Sequence, residues 1–195
     1  MNTARSLHRA FAASTITALA VAASLAAAPA HAAGKAPATN ARDAAAYCSS
    51  TGGVPAKMFP FSGMNNDPKL WMRYGGEVAA CTYTNADTSS ITIWQATLAS
   101  PAPTMAALAY YAQTPQTGGG SGNPAPGYCA QIGGAWMVGN GLDGGGWSTR
   151  RGGTAISMCV FADGSAIDDW GLLYHAYSIT RGIDLATVLQ FANPY

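Results

Sequence analysis

Tyr47-Cys48-Ser49-Ser50-Thr51-Gly52-Gly53 returns 81 positions later as Tyr128-Cys129-Ala130-Gln131-Ile132-Gly133-Gly134, and each copy is followed by one further cysteine, Cys81 or Cys159. Recurrence of Tyr, Cys and a glycine pair in one order points to an internal repeat, and a repeat changes how the whole fold is read. The echo extends outward. Trp71-Met72-Arg73-Tyr74-Gly75-Gly76 has a counterpart in Trp147-Ser148-Thr149-Arg150-Arg151-Gly152-Gly153, Trp94 in Trp170, and Thr104 to Ala112 in Asp184 to Ala192. The offsets drift between 76 and 81, as loop insertions and deletions would make them while the elements keep their order.

Within each copy, the Tyr-Cys segment predicts a short helix stopped by the glycine pair, since glycine is the usual residue just past a helix end. In the second copy Asn123 supplies a capping side chain and Pro124 the first helical position. Two strands are expected next, 134–138 and 154–161, joined by the Gly-rich stretch 139–146, with Asp163-Gly164 turning the chain. Ser165 is the expected cap of the following helix. Asp168 and Asp169 would lie in its first turn, and Ile167, Trp170, Tyr174 and Tyr177 would form its buried stripe. A last helix, capped by Thr104 in one copy and Asp184 in the other, closes each unit. The expected class is therefore α+β, as two tandem related modules, each with a short helix, a small antiparallel hairpin or sheet and one or two closing helices.

Ahead of the repeat, residues 1–32 read as a secretory signal: Arg5, His8 and Arg9 precede an Ala-rich apolar stretch that closes on Ala30-His31-Ala32. Residues 33–42 have the composition of a flexible leader, 43–115 would be the first module, 116–122 a Gly/Ser linker and 123–195 the second module. Removal of the signal takes two of the 10 Lys and Arg and leaves 8 against 9 acids, a net charge of −1. That balance offers no electrostatic case for nucleic acid or an anionic membrane, and no later segment has the apolar length of a membrane span. The expected location is periplasmic or secreted.

Export to an oxidising compartment would let the four cysteines pair. Three connectivities are possible. A duplicated module most simply carries its own bridge, which favours Cys48 with Cys81 and Cys129 with Cys159; each would close a loop of about 30 residues and contribute ~3 kcal/mol. A zinc site is the rival, but it wants close Cys pairs, and here neighbours are at least 30 residues apart.

Asn123-Pro-Ala-Pro-Gly-Tyr-Cys129-Ala-Gln-Ile-Gly-Gly134, followed by Cys159-Val-Phe-Ala-Asp-Gly-Ser165-Ala-Ile-Asp-Asp-Trp170, resembles a family of small exported bacterial domains of unknown function, sometimes labelled hemolysin. The resemblance covers about residues 123–177, with the first repeat as a divergent copy. Members of that family usually carry two more cysteines, at the positions of Ile167 and Tyr177 here. Their joint absence implies that those two bond each other in relatives, which supports pairing Cys129 with Cys159. The label carries no mechanism.

No catalytic constellation accompanies the repeat. His175 is the one histidine after the signal, so a His-rich metal site is not expected, and no cofactor is implied. Ser165 and His175 would share a helix ~15 Å apart along its axis, too far for a direct hydrogen bond, and His175 reads as a partly exposed helix residue. The Gly-rich stretches lack the Lys-Ser/Thr of a phosphate loop. The best candidates for a shared surface are Trp71 with Arg73 and Trp147 with Arg150, residue types enriched at binding hot spots, although each Trp could equally cover its module's core with Arg stacked on it. The expected function is non-enzymatic binding, inhibition or association with the envelope, with an unidentified envelope or secreted protein as partner. A small secreted hydrolase is the second class. A membrane-active protein is the third and fares worst.

Overall fold

A computed structural model describes residues 41–118, 122–136 and 144–195. The proposed signal, most of the leader, the centre of the Gly/Ser linker and residues 137–143 of the Gly-rich stretch lie outside the described residues. In chain order the helices are α1 (Ala41–Ser50), α2 (Gln95–Leu98), α3 (Met105–Ala112), α4 (Pro124–Gln131) and α5 (Asp169–Ala176). The strands are β1 (Val54–Ser62), β2 (Met72–Arg73), β3 (Val78–Thr84), β4 (Ser90–Trp94), β5 (Ala135–Trp136), β6 (Gly145–Ser148), β7 (Met158–Val160) and β8 (Ala166–Asp168). The class is α+β with a curled antiparallel sheet.

Both Tyr-Cys segments are helices, and the glycine pair that follows each has a divided task. Gly52 and Gly133 stand at φ 88° and 86°, the left-handed geometry that ends a helix cheaply only at glycine. The second glycine makes room for sulfur. A Cβ on Gly53 would overlap the Cys81 sulfur, and one on Gly134 would overlap that of Cys159 and lie 2.9 Å from that of Cys129. The disulfides are Cys48–Cys81 and Cys129–Cys159, with Cα separations of 5.8 and 5.5 Å, all four cysteines fully buried.

The strands of both halves belong to one sheet. β4 lies beside β8 through the pair Ile93 and Ile167, and one register row runs Pro55, Cys81, Ile93, Ile167, Cys159, Trp136, placing a disulfide cysteine on either side of the central isoleucine pair. Thr82 and Thr92 are paired in register and share a 3.0 Å hydroxyl hydrogen bond. At the far side β6, from the second half, is bonded to the end of β1, from the first. Trp147 on β6 exchanges hydrogen bonds of 2.7 and 2.8 Å with Ile156, just before β7, so the sheet curls until its ends meet. Residues 145 and 146, expected in the Gly-rich connection, thus belong to a strand. Their backbone groups satisfy the exposed edge of β1, and a Gly-rich segment can do so because the ladder needs no side chain.

The strands alternate between two apolar clusters. Met58, Ala80, Trp94, Met158 and Ala166 face the inside of the curl, with Trp147 and Ile156 against them. Tyr83, Ile91, Ile93, Phe161, Ile167 and both disulfides face the helices, where Leu98, Tyr110, Tyr128, Leu172 and Leu185 complete a cluster drawn from both halves. Burial on both faces stabilises strands too short to stand alone.

The strand expected over 154–161 is shorter, β7 at Met158–Val160, preceded only by the Ile156 bridge to Trp147. Three further expected elements differ. Residues 41 and 42 of the leader begin α1. The helix expected from Ser165 starts instead at Asp169, because the Ser165 hydroxyl donates to Asp163 and accepts from the Ala106 amide (3.0 Å), while β-branched Ile167 takes the strand position beside Ile93. Tyr177 is consequently exposed at the end of α5, off the buried face formed by Leu172 and Leu173. The closing helix over 184–192 is a single 3-10 turn, Leu185–Thr187; the Gln190 amide donates to Leu98 rather than to a helical carbonyl, and Leu185, Val188 and Leu189 anchor the segment in the core. Among the described residues no helix is long and apolar enough to cross a membrane.

Candidate functional site

The junction between β8 and α5 holds two buried carboxyls, Asp168 and Asp169. Asp168 caps α5: its Oδ1 accepts from the Gly171 amide at 2.5 Å, and its Oδ2 accepts from the Thr92 amide of β4 at 2.6 Å. One carboxylate thereby joins a helix start to a strand 76 residues away. Asp169 accepts from the Ser157 hydroxyl at 2.6 Å, while its other oxygen is buried with no partner among the described residues. Burial pushes the Asp168 carboxyl up to about 7, against the two amide bonds and the Arg181 charge, which lower it, with the neighbouring Asp169 raising it further. Burial likewise raises Asp169 to about 6, opposed chiefly by the Ser157 hydrogen bond.

Both shifts have one sign. The folded chain holds these protons more tightly than the unfolded chain, so the two carboxyls cost stability progressively as pH rises from the unfolded carboxylate range, about 4, to about 7. Asp169→Asn is expected to leave stability to urea unchanged near pH 4 and to raise it on the order of 2 kcal/mol above pH 7. An equal effect at both pH values would show that the Asp169 charge is not the cause.

Above Asp168 opens a depression of about 160 Å³ lined by Ala155, Ile156 and Trp170 together with Ser90, Thr92, Thr154, Ser157, Asp168 and Arg181. The hydroxyls of Ser90 and Thr154 and the guanidinium of Arg181 make no hydrogen bond or ion pair among the described residues. The half-buried Trp170 side chain is the wall between this depression and a second one of about 560 Å³, lined by Gln116, Pro124, Trp170, Leu173, Tyr174 and Tyr177. The Trp170 and Tyr174 rings lie 5.7 Å apart, Arg181 sits 5.1 Å over the Tyr174 ring, and the Tyr177 hydroxyl donates to Gln116 at 2.6 Å. Trp170 thus lines two depressions of mixed polarity, one carrying Asp168 and Arg181 and the other carrying Tyr174 and Tyr177.

The residues singled out by the echo lie elsewhere. Trp71 is buried against Phe61 at 5.8 Å, and its indole donates to the Asn66 carbonyl at 3.3 Å. Arg73, on β2, stacks 3.6 Å over Phe59. Trp147 packs edge-on against Trp94 inside the curl at 5.0 Å, and Arg150 is exposed. β2 and β6 both pair with the end of β1, where Phe61 stands opposite Arg73 and Pro60 opposite Trp147. Both tryptophans thus serve packing. His175 is buried, contrary to the expected partial exposure: it stacks on Tyr110 at 3.7 Å and shares a 2.8 Å hydrogen bond with Gln113, and burial lowers its pKa. Ser165 is engaged by Asp163 and Ala106, so the two residues of the hydrolytic set have different partners.

Residues 120–176 match the family described as Domain of unknown function (DUF333). The matched segment holds α4, the Cys129–Cys159 bond, Asp168, Asp169 and Trp170; Thr92, from the first half, and Arg181 lie outside it. No curated protein and no solved structure matches the chain. Sequence reading missed this site because its hydroxyls come from positions 90 to 157 with no periodic spacing, and because Trp170 was assigned to a buried stripe. The adjacent acids at the start of a predicted helix were the available signal.

Proposed function

We propose that the chain is an exported, non-catalytic binding protein of the cell envelope, built from two divergent copies of one unit (43–115 and 123–195) and directed outward by residues 1–32. The observation that carries the binding reading is Trp170, whose half-buried side chain lines two depressions, one with a carboxyl, a guanidinium and hydroxyls on its wall and one with two tyrosines. Concave sites with an apolar surface and a few convergent polar groups are the usual ligand sites of proteins. Duplication is supported by the register row that carries a disulfide cysteine on each side of the Ile93 and Ile167 pair. Two buried disulfides fit an oxidising compartment.

The mature chain is expected to sediment with the insoluble envelope fraction of a Gram-negative host, and Trp170→Ala is expected to release it with the near-UV spectrum of the remaining aromatics retained. Arg150→Ala, at the exposed member of the Trp and Arg echo, is expected to sediment normally. Release by Arg150→Ala but not by Trp170→Ala would move the binding surface to that echo and overturn the assignment to α5.

A further inference from the structure

We infer that the ligand of the Trp170 surface is an oligosaccharide of hexose or hexosamine units, an assignment that rests on the binding role proposed above. A sugar ring has two chemical sides. Its C–H face stacks on the electron-rich face of an aromatic ring, and its hydroxyls at the rim each donate and accept. The two depressions supply both. Trp170 lines both, and around the first depression stand the Asp168 carboxyl, a donor-only guanidinium, Arg181, and the Ser90 and Thr154 hydroxyls, which donate and accept. Each Asp168 oxygen already accepts one amide, which fixes the carboxyl's position.

The spacing suits a chain of sugars rather than one. Trp170, Tyr174 and Tyr177 follow at i, i+4 and i+7, so from Trp170 to Tyr177 is about 10 Å along the helix at 1.5 Å per residue, close to the length of two linked pyranose units. The second depression, which these aromatics line, is the larger, as a site for further units should be. A proline-rich peptide also favours aromatic grooves, but it has no donors for Asp168 beyond its sparse amides and nothing that accepts from Arg181 except carbonyls. The mixture of free hydroxyls, carboxylate and guanidinium favours the polyhydroxyl ligand.

The test is amide and indole NMR of the mature chain titrated with chitotriose, with cellotriose and, separately, with a polyproline nonapeptide. Either trisaccharide is expected to shift the Trp170 indole and the Arg181 side chain at millimolar concentration. Trp170→Ala is expected to weaken this by roughly tenfold or more, and Arg181→Met, which keeps the aliphatic stem, by a smaller factor. No shift with either sugar overturns the saccharide assignment, as does a Trp170 shift with the peptide alone. If the chain still sediments with the envelope in a Trp170-dependent way, the binding role stands with another ligand; if that is lost too, both fall.

Discussion

Gly134→Ala is expected to yield a chain that carries free thiols and fails to fold stably. The added methyl would occupy the path of the Cys129–Cys159 bond, overlapping one sulfur and lying 2.9 Å from the other, with the Cys129 carbonyl 3.3 Å away on a third side. None of these is the loose end of a flexible side chain. Overpacking of this kind costs about 1–3 kcal/mol, and loss of the bond adds about 2–5, which together rival the whole stability of a small domain. Gly133→Ala is the comparison. Nothing crowds its Cβ, so its cost is confined to the left-handed backbone, about 1 kcal/mol. Thiol titration under denaturation together with thermal melting decides the matter: a fully oxidised Gly134→Ala chain that melts with the wild type would refute the account of the glycine pair.

Asp168→Ala is expected to destabilise by about 3 kcal/mol, lowering Tm by ~10 °C, because two buried amides lose their acceptor together. One belongs to α5, and its loss alone is a missing cap. The other belongs to β4, so the same substitution loosens the contact between strand and helix. Asp168→Asn keeps a single acceptor oxygen and removes the buried charge, and its loss is expected to be smaller. Hydrogen exchange reports directly on the mechanism: the Thr92 and Gly171 amides should lose protection in Asp168→Ala ahead of their neighbours. Unchanged protection there would show that the carboxylate does not hold this joint.

Local signals were legible where one residue type had one physical task. Asn123 and Thr104 cap the helices they were expected to cap, and Gly164 turns the chain after Asp163. The expectation for Ser165 failed because a hydroxyl that can cap a helix can also satisfy a turn, and Asp163 lies two residues away to take it. The helix over 184–192 failed for a tertiary reason, since Leu185, Val188 and Leu189 are anchored in the core from an irregular segment. The β6 strand left no trace in a Gly-rich stretch, because what places it is the open edge of β1, more than 80 positions earlier. The candidate site was hidden for the same reason: Thr92, Ser157 and Asp168 meet only when β4, the approach to β7 and β8 lie in one sheet.

Both disulfides join cysteines that are consecutive in the sequence. In a chain that emerges N-terminus first into an oxidising compartment, Cys48 meets Cys81 before Cys129 has arrived, and Cys129 then finds only Cys159 unpaired. An oxidant acting in order of appearance would therefore make the native bonds without any reshuffling, and a disulfide isomerase would be dispensable for this protein. The sheet itself follows a different clock. The end of β1 is paired by β6 from the second half, so in such a chain the first bond would form before the strand ladder it supports is complete.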